Sequence, residues 1–108
     1  MAATSTTSTL VDTNTNELIP APGATNRLLI IAVSGTNLSN SSPSFLRTFD
    51  DDQDYEQFNL ADTGGGFAFC PAEGYLLGVN QAYQAALDNT TDPNVVLRTL
   101  YRVVGASG

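Results

Sequence analysis

The stretch "VVLRTLYRVV", Val95 to Val104, decides the fold class. Read with a period of two, it places Val95, Leu97, Thr99, Tyr101 and Val103 on one face and Val96, Arg98, Leu100, Arg102 and Val104 on the other. β-Branched and aromatic residues dominate it, and these suit a pleated, half-buried surface. The first face is a core face. The second sets Arg98 and Arg102 on either side of Leu100, which marks an interface or a solvated surface rather than core.

Working outward from this strand, the same signals recur. "RLLIIAVSG" (Arg27 to Gly35) is apolar on both faces and reads as a central strand buried between two layers. "SFLRTF" (Ser44 to Phe49) sets Phe45 and Arg47 against Leu46 and Thr48. "YEQFNL" (Tyr55 to Leu60), "GFAF" (Gly66 to Phe69, stopped by Pro71) and "EGYLLGVN" (Glu73 to Asn80) are further short strands. "ELIPAPG" belongs at an edge or in a turn, because Pro20 and Pro22 cannot donate to a ladder. "QAYQAAL" (Gln81 to Leu87) suits a helix by its Ala and Gln and a strand by its company. Short strands about ten residues apart, with turn residues between them, predict an all-β domain. It is a single β-sandwich or jelly-roll-like domain of seven to eight short antiparallel strands over residues 17–108. Residues 1–16, "MAATSTTSTLVDTNTN", lack the apolar side chains to fold alone. A floppy tail is the plain reading, and the other is an extended N-terminal arm that docks on another chain, with Thr4, Thr6, Thr7, Thr9, Leu10 and Val11 as its candidate contacts.

Composition removes several functions. The chain has 108 residues, four arginines, no lysine, no histidine, eleven acids and a net charge of −7. Clustered cations for phosphates or for an anionic membrane are lacking, so no nucleic acid and no membrane surface is expected as partner. Without histidine there is no ordinary Ser-His or Cys-His nucleophile and no imidazole metal ligand, and the single Cys70 cannot form a thiolate zinc site. Cys70 itself, in "FAFCPAEG", reads as a small buried hydrophobe. No apolar run is long enough to span a membrane, and the first residues do not resemble a secretory signal. The glycosylation patterns at Asn37, Asn40 and Asn89 are then ordinary polar loops.

Two motifs invite chemistry. "FDDDQDYE" gathers Asp50, Asp51, Asp52, Asp54 and Glu56. It opens like a calcium-binding EF loop, but Tyr55 stands where that loop needs Gly and Ala61 where it needs Glu. A solvated acidic hairpin loop is the plain reading, with a looser calcium site or a basic neighbour as alternatives. Asp62-Thr63-Gly64 is the tripeptide of aspartic proteases, whose paired aspartates act as acid and base. In the short dimeric proteases it lies early and precedes a flap. Here Asp62 lies past the midpoint, and Leu76-Leu77-Gly78 follows too closely for a flap to fit between. The glycine-rich run Gly64 to Gly66 suits a hairpin connection between "YEQFNL" and "GFAF" instead. No catalytic, cofactor or metal residue is assigned, and no enzyme activity is expected.

Taken in order, "IPAPG", "RLLIIAVSG", a Ser/Asn-rich loop, "NLADTGGGFAF", "EGYLLGV" and a closing "LRTLYRVV" resemble small β-sandwich capsid decoration (cement) proteins of tailed bacteriophages. The likeness runs from about Ile19 to Val104. The acidic insertion and the long "QAYQAALDNTTDPN" segment depart from it. It implies a non-enzymatic structural protein, often a homotrimer, made in the host cytoplasm. Such a protein binds the major capsid protein on the outside of the shell. It stabilises the lattice through repeated contacts, with the arm and the face of Arg98, Leu100 and Arg102 as interface. Another virion β module, such as a head-fibre base, a neck or tail component or a host-adhesion domain, would instead expose aromatics at a loop end, where Tyr75 and Tyr83 are the candidates. A non-viral β-sandwich binding domain is the remaining alternative.

Overall fold

The computed structural model describes residues 3–105, and every helix or strand in that range is a strand. β1 spans Thr4–Leu10, β2 Asn16–Ile19, β3 Asn26–Asn37, β4 Ser44–Phe49 and β5 Asp54–Leu60. β6 spans Gly66–Phe69, β7 Tyr75–Leu76, β8 Tyr83–Leu87 and β9 Val95–Gly105. They form two antiparallel sheets. One has the order β1-β9-β3-β6 with the two-residue β7 also beside β3, and the other the order β2-β8-β4-β5.

The pairs nest. The β4–β5 hairpin lies inside the pair β3 with β6, that pair inside β2 with β8, and the last inside β1 with β9. Eight strands paired in this way across two stacked sheets make a jelly roll. The alternation read in β9 is the reason it can hold the centre of the first sheet. Val95, Leu97 and Thr99 are buried, Arg98 is exposed, and the strand pairs β1 on one side and β3 on the other. Leu28, Ile30 and Val33 of β3, Leu46 of β4, Leu60 of β5 and Tyr83, Ala85 and Leu87 of β8 complete the layer between the sheets. Gly35 sits in a tight part of that layer. A methyl group there would come within 2.6 Å of Leu97 Cδ2 and 2.8 Å of the Phe67 ring.

Four readings of the sequence change. Thr4–Leu10 is not a free arm but the edge strand β1, in unbroken register with β9 from Thr4 opposite Tyr101 to Leu10 opposite Val95. Threonine's β-branch suits it to a strand, and Leu10, fully buried, anchors its end in the core. Residues 1 and 2 of the expected arm, and 106–108 of the domain, lie outside the described residues. β3 is covered on one face only, since Leu29, Ile31 and Ala32 remain half-exposed. "QAYQAAL" resolves as a strand, because Tyr83, Ala85 and Leu87 supply buried positions at a period of two. Cys70 is exposed, as it follows the edge strand β6 out of the sheet.

Candidate interaction surface

The two sheets differ in what they show the solvent. None of the eleven acids lies in β1, β9, β3, β6 or β7, whereas these strands carry three of the four arginines, Arg27, Arg98 and Arg102. The other sheet holds Glu17, Asp54, Glu56 and the fourth arginine, Arg47, and the Asp50–Gln53 loop joins two of its strands. Positive charge therefore gathers on one broad face of an acidic molecule.

Register places the side chains of that face. β9 alternates from its buried Leu97 and Thr99, so Arg98, Leu100, Arg102 and Val104 point away from the core. Across the β3–β9 pair, Ser34 lies opposite Arg98, Ala32 opposite Leu100, Leu29 opposite Arg102 and Arg27 opposite Val104. Leu76 of β7 continues the row opposite Leu29 and is 39% exposed. On the far side of β9, Thr7 lies opposite Arg98 and Ser5 opposite Leu100. The result is a strip of Leu29, Ala32, Leu76, Leu100 and Val104, rimmed by arginines. Arg27 is partly committed, as its Nε donates to the Leu77 carbonyl at 2.6 Å. Arg98 and Arg102 are exposed, and the ion pair found among the described residues, Arg47 with Asp54 at 3.2 Å, belongs to the other sheet. There Arg47 also lies over the Phe49 ring, 4.6 Å from its centre, and so covers an outward aromatic side chain of its own sheet.

The candidate contacts named from the sequence thus divide. Arg98, Leu100 and Arg102 share the outward strip. Thr7 and Thr9 point outward beside them, Thr4 and Thr6 lie on the opposite side of β1, and Val11 is exposed just past its end. Leu10 is not available to another chain, because it is buried in this one. The apolar outward positions of β3 were missed. Their signal was present in the two-sided apolar pattern of "RLLIIAVSG", which reads as burial by a second layer of the same chain.

The acidic loop serves its own hairpin. Asp50 Oδ1 accepts from the amides of Asp52 at 2.7 Å and Gln53 at 2.9 Å, while Oδ2 accepts from the Tyr55 hydroxyl. Burial pushes the Asp50 carboxyl up, but these hydrogen bonds outweigh it and hold the group below the usual carboxylate range. Asp51 accepts from Gln84 Nε2 at 3.0 Å, and Asp54 pairs with Arg47. Among the described residues, no three acidic, Cys or His side chains are placed to share a metal ion.

Asp62-Thr63-Gly64 forms a turn, though not a hairpin. β5 and β6 lie in different sheets, and the turn carries the chain from one to the other. Thr63 and Gly64 both take positive φ, 57° and 93°. Their amides donate to the carbonyls of Ser39 at 2.7 Å and Asn37 at 2.9 Å. Asn37 is itself buried, and its side chain reaches the carbonyls of Ser42 and Leu60, so this residue of a glycosylation pattern ties loops together. Tyr75 and Tyr83 are not aromatics displayed at a loop end. Their hydroxyls meet at 2.5 Å between the sheets, and Tyr83 is fully buried.

No protein-family model and no curated protein matches the chain. Solved structures do. The chain is similar to one in the acidic stable capsid structure of Helicobacter pylori bacteriophage KHP30, with a TM-score of 0.64 and 16% identity over 97% of this chain and 93% of that one. A weaker likeness is to a chain in the virus-like particle of the giant freshwater prawn (Macrobrachium rosenbergii) extra small virus, with a TM-score of 0.45, 12% identity and coverage of 95% and 79%. At these identities the likeness is one of fold.

Proposed function

We propose that the chain is a capsid decoration protein, a non-enzymatic cement that binds the major capsid protein on the outer surface of a viral shell. The observation that carries the reading is the outward face of the β1-β9-β3-β6 sheet. It is broad, free of carboxylates and apolar along its middle, and its arginines are left without acidic partners among the described residues. A patch of half-exposed aliphatic side chains with an arginine rim has the composition of a protein interface, and arginine is the cation that such interfaces favour. The acidic remainder of the molecule then faces the solvent and keeps particles apart. The fold likeness to a chain of a phage capsid structure supports the same reading, as does the resemblance carried by "RLLIIAVSG", "NLADTGGGFAF" and "LRTLYRVV". Each copy needs only modest affinity where the contacts repeat over a lattice.

The test has two parts. Mass spectrometry of purified particles of the parent virus is expected to find the chain in fixed proportion to the major capsid protein, and its absence would end the proposal. Shells lacking the chain are then incubated with the wild type, with R98E/R102E and with Gln57→Glu on the opposite sheet. Sedimentation is expected to show lost occupancy for the double variant alone. Equal occupancy for all three would move the docking surface elsewhere.

A further inference from the structure

A jelly roll ends in four edge strands, and an edge strand with free N–H and C=O groups is a template for another chain unless something blunts it. Three of the four are blunted here. β2 has four residues, carries Glu17, shifts register between Glu17 and Ile19 and ends at Pro20. β5 carries Asp54 and Glu56, and its pairing with β4 shifts between Arg47 and Phe49. On the far side of β3, β6 has four residues and β7 two. β1 has none of these guards. Its seven residues, Thr-Ser-Thr-Thr-Ser-Thr-Leu, hold no charge, no proline and no register shift, and among the described residues no strand occupies its outer side.

We propose that this edge pairs with the same edge of a second copy, β1 against β1 in antiparallel fashion about a twofold axis through Thr7. Side chains directly opposite in an antiparallel pair share a face. A twofold perpendicular to the sheet therefore requires the paired residue numbers to have an even sum, and centring on Thr7 satisfies this while pairing the whole strand. Ser5 then meets Thr9 of the second copy, Thr6 meets Ser8, Thr7 meets Thr7 and Thr4 meets Leu10. Cross-strand Thr–Thr and Thr–Ser pairs are favourable ones. The contact removes both unguarded edges at once, whereas a foreign strand would bring a free edge of its own. No charged side chain lies on the paired edge itself. The two copies of Arg98 are separated by three strand spacings, about 14 Å, which exceeds the screening length of about 8 Å at physiological salt. The pairing is a property of the chain alone and does not depend on binding to a shell.

Sedimentation velocity of the full chain without shells tests it. A dimer in reversible exchange with monomer is expected at micromolar concentration. Ser5, Thr7 and Thr9 are exposed, so S5K/T7K/T9K is expected to fold as the wild type does by circular dichroism. It sets three like-charged pairs opposite one another, and each is expected to weaken the dimer up to about fivefold, for roughly a hundredfold together. S5E/T7E/T9E weakens it in the same way, and mixing the two variants restores a dimer of one copy of each. A wild-type chain that is monomeric or trimeric under these conditions, or a mixture of variants that does not recombine, overturns the proposal.

Discussion

Gly35 and Tyr83 show how closely single residues fit between the sheets. With Leu97 Cδ2 and the Phe67 ring both under 3 Å from a methyl group at Gly35, G35A is expected to cost about 1–3 kcal/mol, read from urea unfolding. The buried hydroxyls give the molecule a working range of pH. Burial raises the Tyr75 and Tyr83 phenols above their usual range, and burial together with the Asp50 carboxylate pushes Tyr55 up to about 12. A raised pKa in the folded state means that stability is complete below the unfolded value of about 10 and falls as pH climbs through the folded one. Asp50 acts at the other end. Its pKa is lowered by folding, so its contribution is present above about pH 4 and is lost as pH falls through the folded value. Thermal unfolding across pH is expected to show a plateau that declines at both extremes. Asp50→Asn should flatten the acid limb and leave an alkaline decline, because burial raises all three tyrosines without it.

β1 is the element on which sequence and structure part most. Its threonines and serines give no hydrophobic alternation, so period-two reading finds no strand, and polar composition suggests a tail. Two signals were present all the same. Threonine prefers extended backbone, and a single leucine closes the run. What the sequence cannot display is the partner, since β9 lies at the other end of the chain. β9 and β3 themselves were legible because their apolar residues alternate or run together. On β3 the same richness in Leu, Ile and Ala concealed that only one face is covered. The difference between tail and strand is measurable. Leu10→Ala is expected to cost about 2–5 kcal/mol of stability, and Val11→Ala, at an exposed position, to stay within about 0.5 kcal/mol. An arm that contacted only another chain would leave both variants as stable as the wild type.

At the scale of the whole molecule, nesting makes folding non-local. The first strand is completed only by the last, and β9 supports both β1 and β3. Refolding is therefore expected in milliseconds to seconds rather than microseconds. A chain ending before Val95 should give no native spectrum, because it loses a central strand along with Val95 and Leu97 of the core. The face assigned to docking predicts a salt dependence as well. Under the proposed docking, contact between Arg98 or Arg102 and carboxylates of a partner should weaken as the screening length shrinks from about 8 Å at 0.15 M salt to about 3 Å at 1 M.

The pairing of Thr4 with Tyr101 has a practical side. It sets the beginning of the first strand beside the last turn of pleat in the final one, with Gly105 only about 13 Å farther along. A short glycine-serine bridge can join them, and the molecule becomes topologically a ring. Cutting that ring between Asp51 and Asp52, both exposed, would give a circular permutant whose new ends leave through the acidic hairpin. Cargo fused there would emerge at a site well separated in sequence from Thr4 and Gly105, while the nested strands keep their partners.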